Sequence, residues 1–272
     1  MLCAAQQYSS KSIRMRGDIV GFTIQAACFC STGLIRKNNE DNFYFDGKTL
    51  EEINNGLAYP LSMCGELTDG LCMSVFDGMG GENYGETASF TAAHEMRSVR
   101  RGIADLFLTR EEYLNRMVLQ LNLAVVAAAK ALGTNRMGST MAALYFTARN
   151  TYVCNLGDSR AYRLRDGELL QLTKDHVTSR PQKEGKKAPL TQYLGIDPDE
   201  LQLEPYISKS ALQKGDGYLI CSDGLTDMVS GTEIADILSG STDVEKCVRQ
   251  LVAAAHAHGG RDNITAIVCQ IS

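Results

Sequence analysis

No stretch of this chain reaches the ~18–20 consecutive apolar residues that a membrane-spanning helix requires, so an integral membrane protein is not expected. No C-x-x-C pair occurs among the nine cysteines, an odd number, and Cys72, Cys154, Cys221 and Cys269 all sit in apolar runs. Thiols in such runs behave as small hydrophobes, which predicts reduced, buried cysteines and a cytoplasmic location. Neither sign of charge dominates. Twenty-seven Lys and Arg against 32 Asp and Glu leave a net charge of −5, which removes the usual reason to expect nucleic acid or an anionic membrane as partner. Lys11, Arg14 and Arg16 are followed by no continuous apolar segment, so residues 1–18 read as a flexible tail and not as a secretory signal.

What is present is a 272-residue chain, 44% hydrophobic and 22% charged, long enough to bury a substantial core. Short β-rich runs occupy 22–30, 42–46, 71–77, 140–148, 151–156, 160–165, 168–172, 203–208, 217–222 and 263–271, with Asp166-Gly167 as a hairpin signal. Helical spacing links Ala88, Ala92, Met96, Val99 and Ile103, then Leu114, Met117, Leu121, Val125, Ala128 and Leu132. A second helical pair is predicted at 232–239 and 243–258. Strands clustered between helix pairs, instead of strict alternation, predict an α+β fold with antiparallel sheets. No linker or repeat divides residues 19–272, which read as a single domain. The segment 177–190, with Arg180, Pro181, Lys183, Lys186 and Lys187, is the least apolar interior stretch and reads as a solvated surface loop.

The run Leu71-Cys72-Met73-Ser74-Val75-Phe76 ends in Asp77 and then in Gly78, Gly80 and Gly81. A dinucleotide fingerprint would need glycine where Asn83 stands, and a P-loop would need a Gly-Lys-Ser/Thr tripeptide that is missing. Asp77 has counterparts. Asp158 and Asp223 also follow apolar runs, Asp262 immediately precedes the last run, and Glu40 and Asp41 immediately precede another. A single Asp-Gly at a strand end is ordinary turn chemistry. Several strand-edge acids of one form carry more weight, because a sheet gathers its strand ends into one region. Gathered carboxylates repel and raise one another's pKa unless cations neutralise them. Oxygen-only donors select hard ions such as Mg²⁺ or Mn²⁺, and Glu40, Asp77, Asp223 and Asp262 balance the charge of two divalent ions. Gly78 leaves room for a backbone carbonyl to approach a metal.

Arg36-x-x-x-Glu40-Asp41, Asp77-Gly78-Met79-Gly80-Gly81, Gly138-Ser139-Thr140, Gly157-Asp158-Ser159-Arg160, Ser222-Asp223-Gly224 and Asp262-Asn263 stand in an order that resembles the metal-dependent protein phosphatases, the PPM or type 2C serine/threonine phosphatases. The resemblance runs from about residue 20 to the C-terminus. It implies a four-layer αββα sandwich, two antiparallel sheets flanked by helix pairs, with a Mn²⁺ or Mg²⁺ centre of two tight ions and a third, weaker one. It further implies hydrolysis of phosphoserine and phosphothreonine by attack of a metal-bridging water on phosphorus. In that scheme Asp77 bridges the ions, the Gly78 carbonyl binds one, Asp223 and Asp262 complete the second, and Glu40 holds a water on the first. Arg36 resembles the family's phosphate-binding arginine, Asp158 would share the weak ion with Asp223, and Asp41, Asn263, Ser139 and Thr140 would support the ligands from behind. Implied partners are phosphoproteins made by a Ser/Thr kinase, met by a monomeric enzyme with no nucleic-acid or membrane partner.

Two features depart from the family pattern. Met79 stands where eukaryotic relatives often carry a histidine, and a thioether cannot donate a proton, whereas bacterial relatives often carry Met there. Only the segment 177–190 separates His176 from Thr191, where bacterial relatives usually insert a longer flap. Two rival readings are a catalytically dead scaffold, which would lack a metal ligand, and a two-metal phosphodiesterase or nuclease, which would need a basic or aromatic stripe. Neither signature is present.

Overall fold

Alternation along the strands sets this architecture, because successive side chains point to opposite faces of a sheet. The computed structural model describes residues 21–79, 84–103, 108–179 and 187–272. In chain order the elements are β1 (Thr23–Ser31), β2 (Asp41–Phe45), β3 (Leu61–Glu66), β4 (Leu71–Met79), α1 (Gly85–Ile103), α2 (Arg110–Ala131), β5 (Gly138–Ser139), β6 (Met141–Phe146), β7 (Asn150–Leu156), β8 (Arg160–Arg165), β9 (Glu168–Gln171), β10 (Tyr206–Ala211), β11 (Gly217–Cys221), α3 (Asp223–Thr226), α4 (Gly231–Ser239), α5 (Val244–Ala257) and β12 (Ile264–Ile271). One sheet has the order β3-β1-β12-β11-β8-β9, the other β10-β7-β6-β4-β2 with β5 joined to β4, and every pairing of these strands is antiparallel. The fold is α+β. The expected tail over 1–18, Gly80 and Gly81 of the glycine-rich turn, and Arg180, Pro181, Lys183 and Lys186 of the loop lie outside the described residues.

Three apolar layers hold the sandwich together. Cys72 and Phe76 of β4 face α1 and α2, meeting Ala92, Met96, Leu114 and Leu121. Met73 and Val75 of the same strand face the other way, into a core between the two sheets shared with Phe43, Phe146, Tyr218 and Ile267. The outer face of the second sheet, including Leu219, Ala266 and Val268, packs against Ile234, Val248, Leu251 and Val252 of α4 and α5. β4 and β6 are therefore apolar on both faces, which explains their unbroken hydrophobic runs. Helix ends are set by local chemistry. Thr109 and Glu112 form a reciprocal capping box at α2, and Ser230 and Asp243 cap α4 and α5.

The expected helices are present within a few residues of their predicted limits, and seven of the eight cysteines among the described residues are buried. β10 begins at Tyr206, three positions after its predicted start, because Pro205 has no N–H to donate to the ladder with β7. β3 was not predicted. It is a mostly exposed edge strand whose sequence carries little alternation. Among the described residues no helix is long and apolar enough to cross a membrane.

The layer between the sheets positions the site. Following the inward-facing parity of β2 (Phe43, Phe45), β4 (Met73, Val75), β6 (Ala142, Leu144), β8 (Ala161), β11 (Tyr218, Ile220) and β12 (Ile267, Cys269) toward one end of the sandwich leads to Asp41, Asp77, Thr140, Ser159, Ser222 and Thr265. At that end the inward stripe of every one of these strands turns from apolar to polar.

Candidate active site

Asp77 is where the inward-facing stripe of β4 turns from apolar to polar, and its backbone is held from both sides. Thr140 N–H donates to the Asp77 carbonyl at 2.8 Å, Asp77 N–H donates to Thr140 Oγ1 at 3.1 Å, and Ser139 Oγ donates to the same carbonyl at 3.1 Å. Thr140 Oγ1 and Ser159 Oγ lie 2.6 Å apart, joining the two sheets behind the aspartate. Gly78 N–H donates to the Glu40 carbonyl at 2.9 Å. A Cβ on Gly78 would stand 1.9 Å from Gly85 O and 2.7 Å from Glu40 O, so only glycine lets β4, the start of α1 and the Glu40 loop meet here.

Asn263 fastens that loop. Its Oδ1 accepts from Glu40 N–H at 2.7 Å, while its Nδ2 donates to Thr32 O at 2.9 Å and Asn38 O at 3.0 Å. Asp223 opens α3, whose next residue, Gly224, lies so close to Asn263 that an added Cβ would come within 1.9 Å of the Asn263 carbonyl oxygen. Asp41 is buried behind these groups. Its Oδ2 accepts from Ser222 Oγ and Thr265 Oγ1, both at 2.7 Å, and its Oδ1 has no partner among the described residues.

Glu40, Asp77, Asp158, Asp223 and Asp262 all open onto one pocket of about 460 Å³, with Arg36 and Gly78 in its wall. Each sequence-predicted carboxylate except the buried Asp41 therefore reaches the same cavity. Arg36 Nη2 pairs with Asp262 Oδ2 at 2.8 Å across the pocket rim. Arg160 of the Gly-Asp-Ser-Arg motif instead forms a bidentate pair with Asp175, and His176 accepts from Gly157 N–H through Nδ1 at 3.2 Å, so both shape the Asp158 turn. His256 and His258 have separate partners, Ser31 Oγ and the Met228 carbonyl.

The electrostatics of the pocket call for cations. Burial, then the neighbouring Asp223, Asp41, Asp158 and Asp262, hold Asp77 well above the usual carboxylate range. Burial pushes Asp158 up to about 6, with Asp223 adding to it. Asp41 rises to about 7, chiefly through burial and against the hydrogen bonds from Thr265 and Ser222. Glu40 and Asp223 are raised too, again first by burial.

A residue assigned to the solvated loop supplies one of the cations. Lys187 Nζ pairs with Asp223, with Asp227 at 2.9 Å and with Asp262 at 3.7 Å. No local pattern marks Lys187 or Asp227 as site residues, since Lys187 stands in a polar segment and Asp227 caps the end of α3. Arg36 and Lys187 pair with Asp262 and Asp223, and no three Asp, Glu, His or Cys side chains among the described residues stand as a ready-made chelating group. The donor set nevertheless fits hard divalent ions. The pocket is lined by carboxylates and a backbone carbonyl at a glycine, with neither His nor Cys among its described lining, and a protonated amine already sits as a stand-in cation.

The family model "Protein phosphatase 2C" matches residues 62–268. The serine/threonine phosphatase stp of Listeria welshimeri is 31% identical over 254 residues, covering 88% of this chain and 92% of that protein. The serine/threonine protein phosphatase PstP of Mycobacterium tuberculosis is 29% identical over 276 residues, covering 93% of this chain and 46% of its own length. Among solved structures, the catalytic domain of PstP in complex with two manganese ions superposes with a TM-score of 0.73 at 28% identity, over 92% of this chain and 99% of that one. The match of the family model to most of the chain, joined to a relative 31% identical over 88% of it, places the protein in the protein phosphatase 2C family.

Proposed function

We infer that the protein is a metal-dependent serine/threonine phosphatase that hydrolyses phosphoserine and phosphothreonine in proteins. The observation that carries this reading is the convergence of Glu40, Asp77, Asp158, Asp223 and Asp262, together with Arg36, on one pocket at the end of the sandwich. We propose that Asp77, the Gly78 carbonyl, Asp223, Asp262 and Glu40 hold two Mn²⁺ or Mg²⁺ ions, and that Asp158 with Asp223 holds a third more weakly. When bound, the ions supply Lewis-acid activation of water and neutralise charge on the phosphoryl group.

The chain's own groups do the rest. Arg36 carries a planar fork that suits two phosphate oxygens, and its half-exposed position at the rim lets it exchange Asp262 for an incoming phosphate. Ser139, Thr140 and Asn263 keep the Asp77 and Glu40 backbones in place while charge rearranges in front of them. Met79 lines the same pocket and donates no proton, so the leaving alkoxide would take its proton from a water molecule, metal-bound or bulk. We take residues 19–272 as one catalytic domain acting as a monomer in the cytoplasm, opposing a Ser/Thr kinase in a signalling role. The buried cysteines and the near-neutral charge balance support that placement. The name of the manganese-bound relative supports the choice of metal.

The test is hydrolysis of a phosphopeptide beside bis-p-nitrophenyl phosphate, with Mn²⁺ or EDTA. Phosphopeptide turnover should need the metal and vanish in EDTA, and Asp77→Asn should cost at least about 10²-fold in kcat. Full activity after metal stripping, or preference for the diester, would overturn the reading.

A further inference from the structure

We propose that Lys187 is a tethered cation that competes with divalent ions for the Asp223 side of the pocket. This rests on the pocket being a divalent-metal site. Lys187 Nζ faces three carboxylates at once, Asp223, Asp227 at 2.9 Å and Asp262 at 3.7 Å. Asp223 and Asp262 are proposed metal ligands, and the pocket also contains Asp158, the proposed partner of Asp223 for the weak ion. An ammonium and a divalent ion cannot share the same oxygens of Asp223, because both need its lone pairs and they repel each other.

The backbone behind Lys187 is anchored. Thr178 N–H donates to Pro189 O at 3.0 Å, Val177 and Leu190 form a β-bridge, and Thr191 N–H donates to His176 O at 2.8 Å. His176 N–H in turn donates to Gly157 O at 3.0 Å, beside Asp158. The chain just after Lys187 is thus tied to the segment packed on the Asp158 turn, which lowers the backbone entropy lost when the lysine side chain reaches the pocket.

Asp227 gives the device a second position. It follows Asp223 by one helical turn, its N–H donating to Asp223 O at 2.8 Å, and it is absent from the pocket lining. When an ion takes Asp223, Lys187 can keep Asp227, which is 44% exposed and outside the metal shell. Lys187 therefore neutralises part of the carboxylate cluster while metal is scarce, and raises the metal concentration at which the ions that use Asp223 bind. The ordinary coupling free energy between two bound groups, ~5–150-fold in affinity, sets the scale for the effect.

The experiment is calorimetric titration of the metal-stripped full chain with Mn²⁺, for wild type, Lys187→Gln and Lys187→Arg, with melting temperatures in EDTA. Lys187→Gln should bind Mn²⁺ at one or more sites at least about fivefold more tightly than wild type. It should also melt at a lower temperature in EDTA, having lost the counter-charge. Lys187→Arg keeps the charge and should behave as wild type in both. Mn²⁺ affinities in Lys187→Gln that match wild type at every site, or that weaken, overturn the proposal. A wild type that takes up no Mn²⁺ is a different outcome, overturning the metal reading itself and this inference with it.

Discussion

Replacing Gly78 by alanine tests whether close backbone packing, and not only carboxylate chemistry, builds the site. The added Cβ would lie 1.9 Å from Gly85 O, 2.5 Å from Gly85 C and 2.7 Å from Glu40 O, whereas real Cβ contacts essentially never fall below 3.0 Å. All three neighbours are backbone atoms, so no flexible side chain can swing away. Relief demands a shift of 3.0 − 1.9 = 1.1 Å between the end of β4 and the first turn of α1. Overpacking of this kind costs about 1–3 kcal/mol. For a chain of this size each kcal/mol lowers Tm by about 2–4 °C, so a fall of roughly 2–12 °C is expected. The displaced atoms include the Gly78 carbonyl and the neighbourhood of Glu40, both proposed at the metal centre. A misplacement of ~1 Å in such machinery can cost about 10²-fold in kcat. Thermal unfolding in EDTA and in Mn²⁺, together with phosphopeptide turnover, reads both effects. Gly65→Ala is the control, since a Cβ there meets nothing within 4 Å. If Gly78→Ala matches Gly65→Ala in Tm and kcat, the close-approach argument is wrong.

Asn263→Ala removes one acceptor from Glu40 N–H and two donations, to Thr32 O and Asn38 O. With buried polar groups costing about 1–3 kcal/mol when left unpaired, a loss of about 2–4 kcal/mol is expected by urea titration, accompanied by weaker Mn²⁺ binding. Wild-type stability in that variant would remove Asn263 from the support of Glu40. In EDTA the stability should also depend on pH through the raised carboxylates. Asp158 at about 6 and Asp41 at about 7 lie above their unfolded values, so the folded chain binds more protons than the unfolded chain between about pH 4 and about pH 7. Their contribution to stability is complete below that window and drains away as pH rises through it. His176 and His256, lowered chiefly by burial, act in the opposite direction. The difference between wild type and Asp158→Asn isolates the carboxylate, and the Tm of wild type should fall relative to that variant as pH rises. A gap that stays constant, or that reverses, would refute the assignment. Saturating Mn²⁺ should close it, because the ions replace protons as counter-charge.

Much of this protein could be read from local patterns, for physical reasons that are themselves local. The run 71–77 is apolar on both faces because β4 lies between two cores, and the helical stripes of α1, α2 and α5 follow from one face meeting a sheet. Asp77, Asp158, Asp223 and Asp262 stood out because each interrupts or borders such a run. Their meeting in one pocket needed only that the strands end together. Tertiary structure alone decided the groups that share no local signal. Which inward-facing polar residue supports which aspartate depends on the pairing of sheets, as when Asp41 of β2 receives Ser222 and Thr265 from the far sheet. The glycines at 78 and 224 are required by backbones distant in sequence, Gly85 and Asn263. Lys187 sits in a polar segment that reads as solvated, and only the return of that segment through Val177 and Leu190 carries its charge to Asp223. A charge carries no periodicity, so its destination is set by the path of the chain in three dimensions.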